Sequence, residues 1–328
     1  MKTSGLRRLG LLVMLACIAA VVCSTTANAR STAPNAKTKI GYINLSDQLP
    51  FVVLVRKGIE KAAKAAGVTL VECDSNLDAQ KAINCAAQLK SQGVQGIMNF
   101  QLDTKAAPRV CAAGPKVPVI AIDIHQPPCE KVFYGANNIQ AGKLVGTALG
   151  AYAKKQFNCK VDGVLSLNSP TAGKVIIDRE NGEFAGLATQ CPGLKITKVT
   201  TNATTDGTIQ PFTDSLSRLP GQHKLLVLAT NDDMANGAVK AAQSAGRLGD
   251  IYIGAQGGDP TSWQALCGKT PFKHWVADTG YFPEDYGKTV VPTLLSMIDG
   301  QTQPRNVYVA HRVITPQNIK NIYPQACK

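Results

Sequence analysis

The chain has no G-x-S-x-G nucleophile elbow and no G-x-x-x-x-G-K-[ST] phosphate loop. Its one glycine-rich fragment, Gly254-Ala255-Gln256-Gly257-Gly258, lacks dinucleotide-binding spacing and reads as a turn that lets backbone approach a cleft. The four histidines, His125, His223, His274 and His311, stand far apart, and no C-x-x-C pair occurs, so metal-ligand spacing is missing. Lys and Arg number 35 against 22 Asp and Glu, yet no dense basic run or nucleic-acid reading motif appears. The excess charge therefore reads as a basic, soluble surface, with no nucleic-acid partner. After the first thirty residues no apolar run approaches the roughly 20 residues of a membrane span. No cofactor is expected. A carboxylate pair formed by Asp123 across a cleft remains open to an exported α/β enzyme, but no reaction-specific constellation surfaces.

The N-terminus is where a pattern is present. Lys2, Arg7 and Arg8 form a positive head, Leu9 to Val22 an apolar run, and Ala27-Asn28-Ala29 a small-residue triplet. This is the layout of a secretory signal peptide over residues 1–29, with the chain exported to a periplasm or the outer face of a cytoplasmic membrane. Neither Cys17 nor Cys23 follows a convincing lipidation box. The mature chain would hold 328 − 29 = 299 residues with a net charge of (35 − 3) − 22 = +10. Of ten cysteines, eight remain after residue 29, an even number that in an exported chain suggests four disulfides.

From Lys39 onward short apolar runs alternate with amphipathic stretches of helical length. Strands are predicted over Lys39–Asn44, Val68–Cys73, Gly96–Phe100, Pro118–Asp123 and Val132–Asn137, then over Asp162–Asn168, Lys195–Thr201, Leu225–Thr230, Ile251–Gln256 and His274–Gly280. Their cores are continuous Val, Ile and Leu, as in parallel sheets covered on both faces. Over Ile139–Gln156, Leu144, Val145, Ala148, Leu149 and Tyr152 make one helical stripe, with Asn137 or Asn138 as the cap. Asn231 or Asp232 can cap the helix after Leu225–Thr230. The rhythm implies a doubly wound α/β architecture, and its length implies two domains. Polar residues cluster at the strand ends: Asp47-Gln48, Asp123, Asn137-Asn138, Asn231-Asp232-Asp233 and Gln256. Open α/β sheets bind ligands there, although such residues serve equally as caps and turns.

Four segments in register resemble the type I periplasmic sugar-binding proteins of ABC transporters, the ribose-binding-protein family. They are Pro50-Phe51-Val52-Val53-Leu54-Val55-Arg56-Lys57-Gly58, Pro118-Val119-Ile120-Ala121-Ile122-Asp123, Gly135-Ala136-Asn137-Asn138 followed by Ala141-Gly142, and Thr230-Asn231-Asp232-Asp233-Met234 followed by Gly237-Ala238. The likeness runs from Lys39 to about Val309. It implies two Rossmann-like lobes joined by a three-strand hinge, with residues 38–136 plus 282–310 in one and 137–281 plus 311–328 in the other. It implies a monomer that captures a small hydroxylated, carbohydrate-like solute by hinge closure and passes it to a membrane permease. An exported sensor that presents its ligand to a membrane receptor is the alternative.

The resemblance carries ligand positions to Phe51 (ring stacking), Asp123 (hydroxyl acceptor), Asn138, Asn231, Gln256 and Tyr281. The arginine after Asp162–Asn168 maps to Arg179, or by one residue's shift to Asp178. Departures stand beside these: Leu49 and Val52 flank Phe51 where an asparagine and a second aromatic are usual, Ile124 replaces an arginine, Thr205 an aromatic and Gln256 an aspartate. The site thus resembles a sugar site with fewer charges and rings, which counts against a plain pyranose. Bridges that stay within one lobe would pair Cys73–Cys85, Cys111–Cys129, Cys159–Cys191 and Cys267–Cys327, each the nearest partner in sequence. The cleft itself is expected to be wet and polar, with few apolar contacts to hold it shut.

Overall fold

A computed structural model describes residues 38–327. The signal-peptide reading lies outside these residues. Two six-stranded sheets are built by the same alternation. The first lobe runs β1 (Lys39–Asn44), α1 (Pro50–Ala65), β2 (Thr69–Asp74), α2 (Ala79–Ser91), β3 (Gly96–Asn99), α3 (Ala107–Ala113), β4 (Val119–Ile122) and β5 (Val132–Gly135). The second runs α4 (Asn138–Phe157), β6 (Gly163–Asn168), α5 (Lys174–Gln190), β7 (Ile196–Thr200), α6 (Thr205–Ser217), β8 (Leu225–Ala229), α7 (Asp232–Ser244), β9 (Ile251–Gly257), α8 (Pro260–Cys267) and β10 (Trp275–Gly280). α9 (Tyr286–Ile298) and β11 (Asn306–Tyr308) return to the first lobe, and β12 (Arg312–Ile314) and α10 (Ile319–Ile322) to the second. The chain therefore passes between the lobes three times.

Strand order is β2-β1-β3-β4-β5-β11 in one sheet and β7-β6-β8-β9-β10-β12 in the other. Every pairing is parallel except β10 with β12. The continuous apolar runs have the expected origin: β3, β4, β5 and β8 are buried along their whole length. β1 has its expected bounds, β2 is shifted by one residue, β9 is one residue longer, and the other expected strands are trimmed by a residue or two at their ends. β11 and β12 were not anticipated, because three residues carry no readable period.

The predicted stripe on α4 needs correction. Val145 and Leu149 are buried, but Leu144, Ala148 and Tyr152 are only half-buried. The deeper face is made of small residues, Ala141, Gly142, Gly146, Gly150 and Ala153. A Cβ on Gly142 would lie 2.1 Å from the Arg179 carbonyl oxygen, and one on Gly146 2.1 Å from that of Glu183. Only glycine lets two helix backbones approach this closely, and hydropathy does not register it. The contact sets where Arg179 and Glu183 stand.

The four cysteine pairs named above lie at bonding distance, with S–S separations of 2.01, 1.97, 2.00 and 2.01 Å in chain order. Among the described residues no helix is long and apolar enough to cross a membrane.

Candidate functional site

The carboxyl ends of both parallel sheets face one another across a cleft, as the architecture requires. It holds about 690 Å³ not filled by protein atoms, part of it open to solvent. Phe51, Val52, Asp123, Arg179, Asn231, Gln256 and Tyr281 all line it. Asn138 does not: its Oδ1 accepts from Arg179 Nε at 2.8 Å, so it orients the guanidinium from behind. Asp178 instead binds Lys174 Nζ at 2.6 Å, away from the cavity.

Asp123 follows β4 in a left-handed conformation, φ 54°. Its Oδ1 accepts from Tyr286 Oη at 3.0 Å and from the Ala136 amide at 3.2 Å. Oδ2 is buried without a partner. Gly135 makes this pose possible, because a Cβ there would lie 2.4 Å from Oδ1. Burial pushes the Asp123 carboxyl up to about 6, opposed by Arg179 and by its hydrogen bonds.

On the opposite wall Arg179 rises from the second turn of α5. Its Nη1 donates to the Thr230 carbonyl at 2.9 Å, and its guanidinium lies 5.1 Å from the centre of the Tyr281 ring. Phe51, the second residue of α1, meets Tyr281 and Tyr286 edge-on at 6.1 and 5.9 Å. Tyr281 Oη donates to Gln256 Oε1 at 2.9 Å, and Gln256 Nε2 donates to Glu183 Oε1 at 2.6 Å. Burial raises Glu183 to about 8. Asn231 caps α7 through the Met234 amide and donates to the Ala203 carbonyl, so its amide serves turn and cleft together.

Asp232 and Asp233, expected only as members of a strand-end polar cluster, and Asp259, which sequence reasoning passed over, contribute an acidic floor. Burial lifts all three above the ordinary carboxylate range, Asp233 to about 7. The buried Asp278 adds to the upward shift of Asp232, while burial lifts Asp278 itself to about 6 against the opposing hydrogen bond with Asp232. Among the described residues no group of three or more His, Cys, Asp and Glu is arranged to hold a metal ion.

The expected polar cleft is half wrong. Leu45 and Leu49 after β1, Leu77 after β2, Phe100 and Leu102 after β3, and Ile124 after β4 give the first wall an apolar surface. Ala172, just before α5, and Val175 and Ile176, in its first turn, join the same apolar cluster from the other lobe. Ala203, at φ 69°, lines the cleft near the place where an aromatic was expected, while Thr205 turns to Asp233. Leu49 and Ile124 were visible as departures. Leu77 and Ala203 depend on left-handed turns, which local sequence did not signal.

A family model described as periplasmic binding protein domain matches residues 40–302. The chain is 28% identical over 241 residues to the xylitol-binding protein of Mycolicibacterium smegmatis, covering 71% of this chain and 66% of that one. It is 26% identical over 256 residues to the galactofuranose-binding protein YtfQ of Escherichia coli, covering 75% and 79%. In fold it is similar to an ABC transporter solute-binding protein of Mycobacterium smegmatis with bound glycerol, at 23% identity, a TM-score of 0.75, and 87% and 96% coverage.

Proposed function

From the premise that this chain belongs to the periplasmic binding protein domain family, we propose that it captures a small hydroxylated solute between its lobes and delivers it to the membrane permease of an ABC importer. Its relatives are binding proteins, and the chain is a binder rather than an enzyme. The observation that carries the reading is the pairing across the cleft. A carboxylate with a free oxygen, Asp123, and a guanidinium held by Asn138 and Thr230, Arg179, approach one cavity from opposite walls. Hydroxyl groups can donate to the first and accept from the second, and charge-assisted bonds of this kind are the stronger ones. Relatives named for xylitol and galactofuranose support polyols and furanoses as the solutes to try first.

In this reading the lobes comprise residues 38–136 plus 282–310 and residues 137–281 plus 311–328, and the three passages between them form a hinge. The exported chain works as a monomer. A solute touching both walls gains its full contacts only when they are close, so its binding energy favours closure. The test has two stages. Unfolded and refolded protein is screened against polyols and sugars by thermal shift, where a thousandfold excess over Kd stabilises by about 4 kcal/mol. Small-angle scattering then follows the binder. The radius of gyration should fall on binding, with the solute recovered unchanged. A constant radius counts against hinge capture, and chemical conversion of the solute returns the enzyme reading.

A further inference from the structure

The two walls differ in what they offer a hydroxyl. Among the described residues, every side chain lining the first wall but Asp123 is apolar. Asp123 has only Oδ2 to spare, since Oδ1 is engaged by Tyr286 and Ala136. A sugar or polyol with hydroxyls on every face would turn several toward this wall. Each one removed from water without a partner weakens binding on the order of tenfold. The apolar surface is also constructed at a conformational cost. Leu77 is held at φ 62°, with its amide bonded to the Leu45 carbonyl at 2.9 Å, a backbone region that residues with a Cβ rarely adopt. Such strain clusters where a fold positions a functional side chain.

The apolar band continues across the cleft. Val175 and Ile176, in the first turn of α5, line it from the second lobe and belong to the same apolar cluster as the first wall. Side chains from five separate chain segments are involved, a wider surface than one methyl group can touch at contact distances of about 4 Å.

We propose that the solute is amphipathic: a hydroxylated head held at Asp123 and Arg179, joined to an apolar alkyl or aryl part larger than a methyl, which lies against Leu77, Leu102, Val175 and Ile176. This rests on the binding reading above and narrows its ligand class. An all-round hydroxylated sugar satisfies the second wall and strands its groups on the first. A wholly apolar molecule leaves Asp123 Oδ2 without a partner and makes no use of the guanidinium N–H groups that Asn138 and Thr230 leave free.

The experiment is calorimetric titration of the refolded mature protein with matched pairs. D-arabinose, D-galactose, xylitol and myo-inositol are each set against their mono-O-benzyl derivative, with benzyl alcohol alone as a further probe. At least one benzyl derivative should bind tenfold or more tighter than its bare partner. Leu102→Ser, at a half-buried position lining the cleft, should shrink that gap about fivefold, read as the ratio of the two affinities within the variant. Val175→Ser on the opposite wall should do the same, so the result does not hang on one variant's folding. Bare members that bind as tightly as their benzyl partners overturn the amphipathic class and leave the binding reading standing. Benzyl alcohol binding as tightly as the derivatives overturns the hydroxylated head. No binding by any member overturns both the class and the reading it rests on.

Discussion

In the first lobe the order β2-β1-β3-β4-β5-β11 ends in loops that turn leucines toward the cleft around a single carboxylate. In the second, the matching order β7-β6-β8-β9-β10-β12 ends in Asn231, Asp232, Asp233, Gln256 and Asp259, with Arg179 beside them. The scaffolds repeat and the surfaces do not. Strand order is set by buried Val, Ile and Leu, which both lobes supply. The chemistry of the site is set by the few residues just past each strand, and these are free to diverge. The lobes also hold their site residues by different means. Asp123 is fixed by hydrogen bonds from Tyr286 and Ala136, whereas Arg179 and Glu183 are fixed by the glycine contact between α4 and α5.

The sharpest way to break that contrast is to fill the helix contact. In Gly146→Leu the new Cβ would fall 2.1 Å from the Glu183 carbonyl oxygen, a backbone atom with nowhere to move unless the helices part. We expect a loss of about 3 kcal/mol or more in stability. Separation of the helices would also withdraw Arg179 from Asn138, so affinity should drop as well. Urea unfolding followed by titration checks both. A variant with wild-type midpoint and affinity would mean that the two helices are not the rigid support of the second wall.

The next effect lies in binding. Among the described residues Asp123 is the one polar side chain lining its wall, while Asp233 on the opposite wall has polar neighbours. Asp123→Ala should cost about 2 kcal/mol of affinity for the solute, some thirtyfold, and leave the fold intact. Asp233→Asn should cost well under 1 kcal/mol, because Asn231, Gln256 and Arg179 remain. Equal losses in the two variants, read by calorimetry, would erase the distinction between a sparse wall and a redundant one.

Much of this was legible in the residues. Continuous apolar strands and strand-end polar clusters led to two doubly wound lobes and brought Asp123, Asn231 and Gln256 forward. Leu49 and Ile124 already marked the first wall as unusually apolar. Leu45, Phe100 and Leu102 were passed over because a leucine beyond a strand reads as core until the cleft is seen to open beside it. Asn138 was assigned to the ligand, but an asparagine gives no hint that it faces a neighbouring guanidinium. The small face of α4 escaped because glycine contributes closeness rather than hydropathy.

The smallest expected effect concerns acidity, and it too separates the lobes. Of the cleft carboxyls that burial raises, the first wall holds only Asp123, at about 6. The second wall and its support hold Asp233 at about 7 and Glu183 at about 8, with Asp232 and Asp259 also shifted upward. A carboxyl whose folded pKa exceeds its unfolded value binds more protons folded than unfolded between those two values. Its contribution is therefore present at the acid side of that range and is lost as pH rises through the folded pKa. Between pH 6 and 8.5 the groups that lose protons are chiefly Asp233 and Glu183, with the half-buried Glu72, at about 7, the counterpart in the first lobe. Stability, and Tm with it, should fall over this window. Glu183→Gln keeps an acceptor for Gln256 Nε2 and removes the titration, so it should flatten the slope by a measurable part. Amide hydrogen exchange at the two pH values, corrected for intrinsic rates, should show β8, β9 and α5 loosening more than β1, β3 and α1. A Tm that rises from pH 6 to 8.5, or loosening confined to the first lobe, would mean that the buried acids of the second wall are not what sets the pH response.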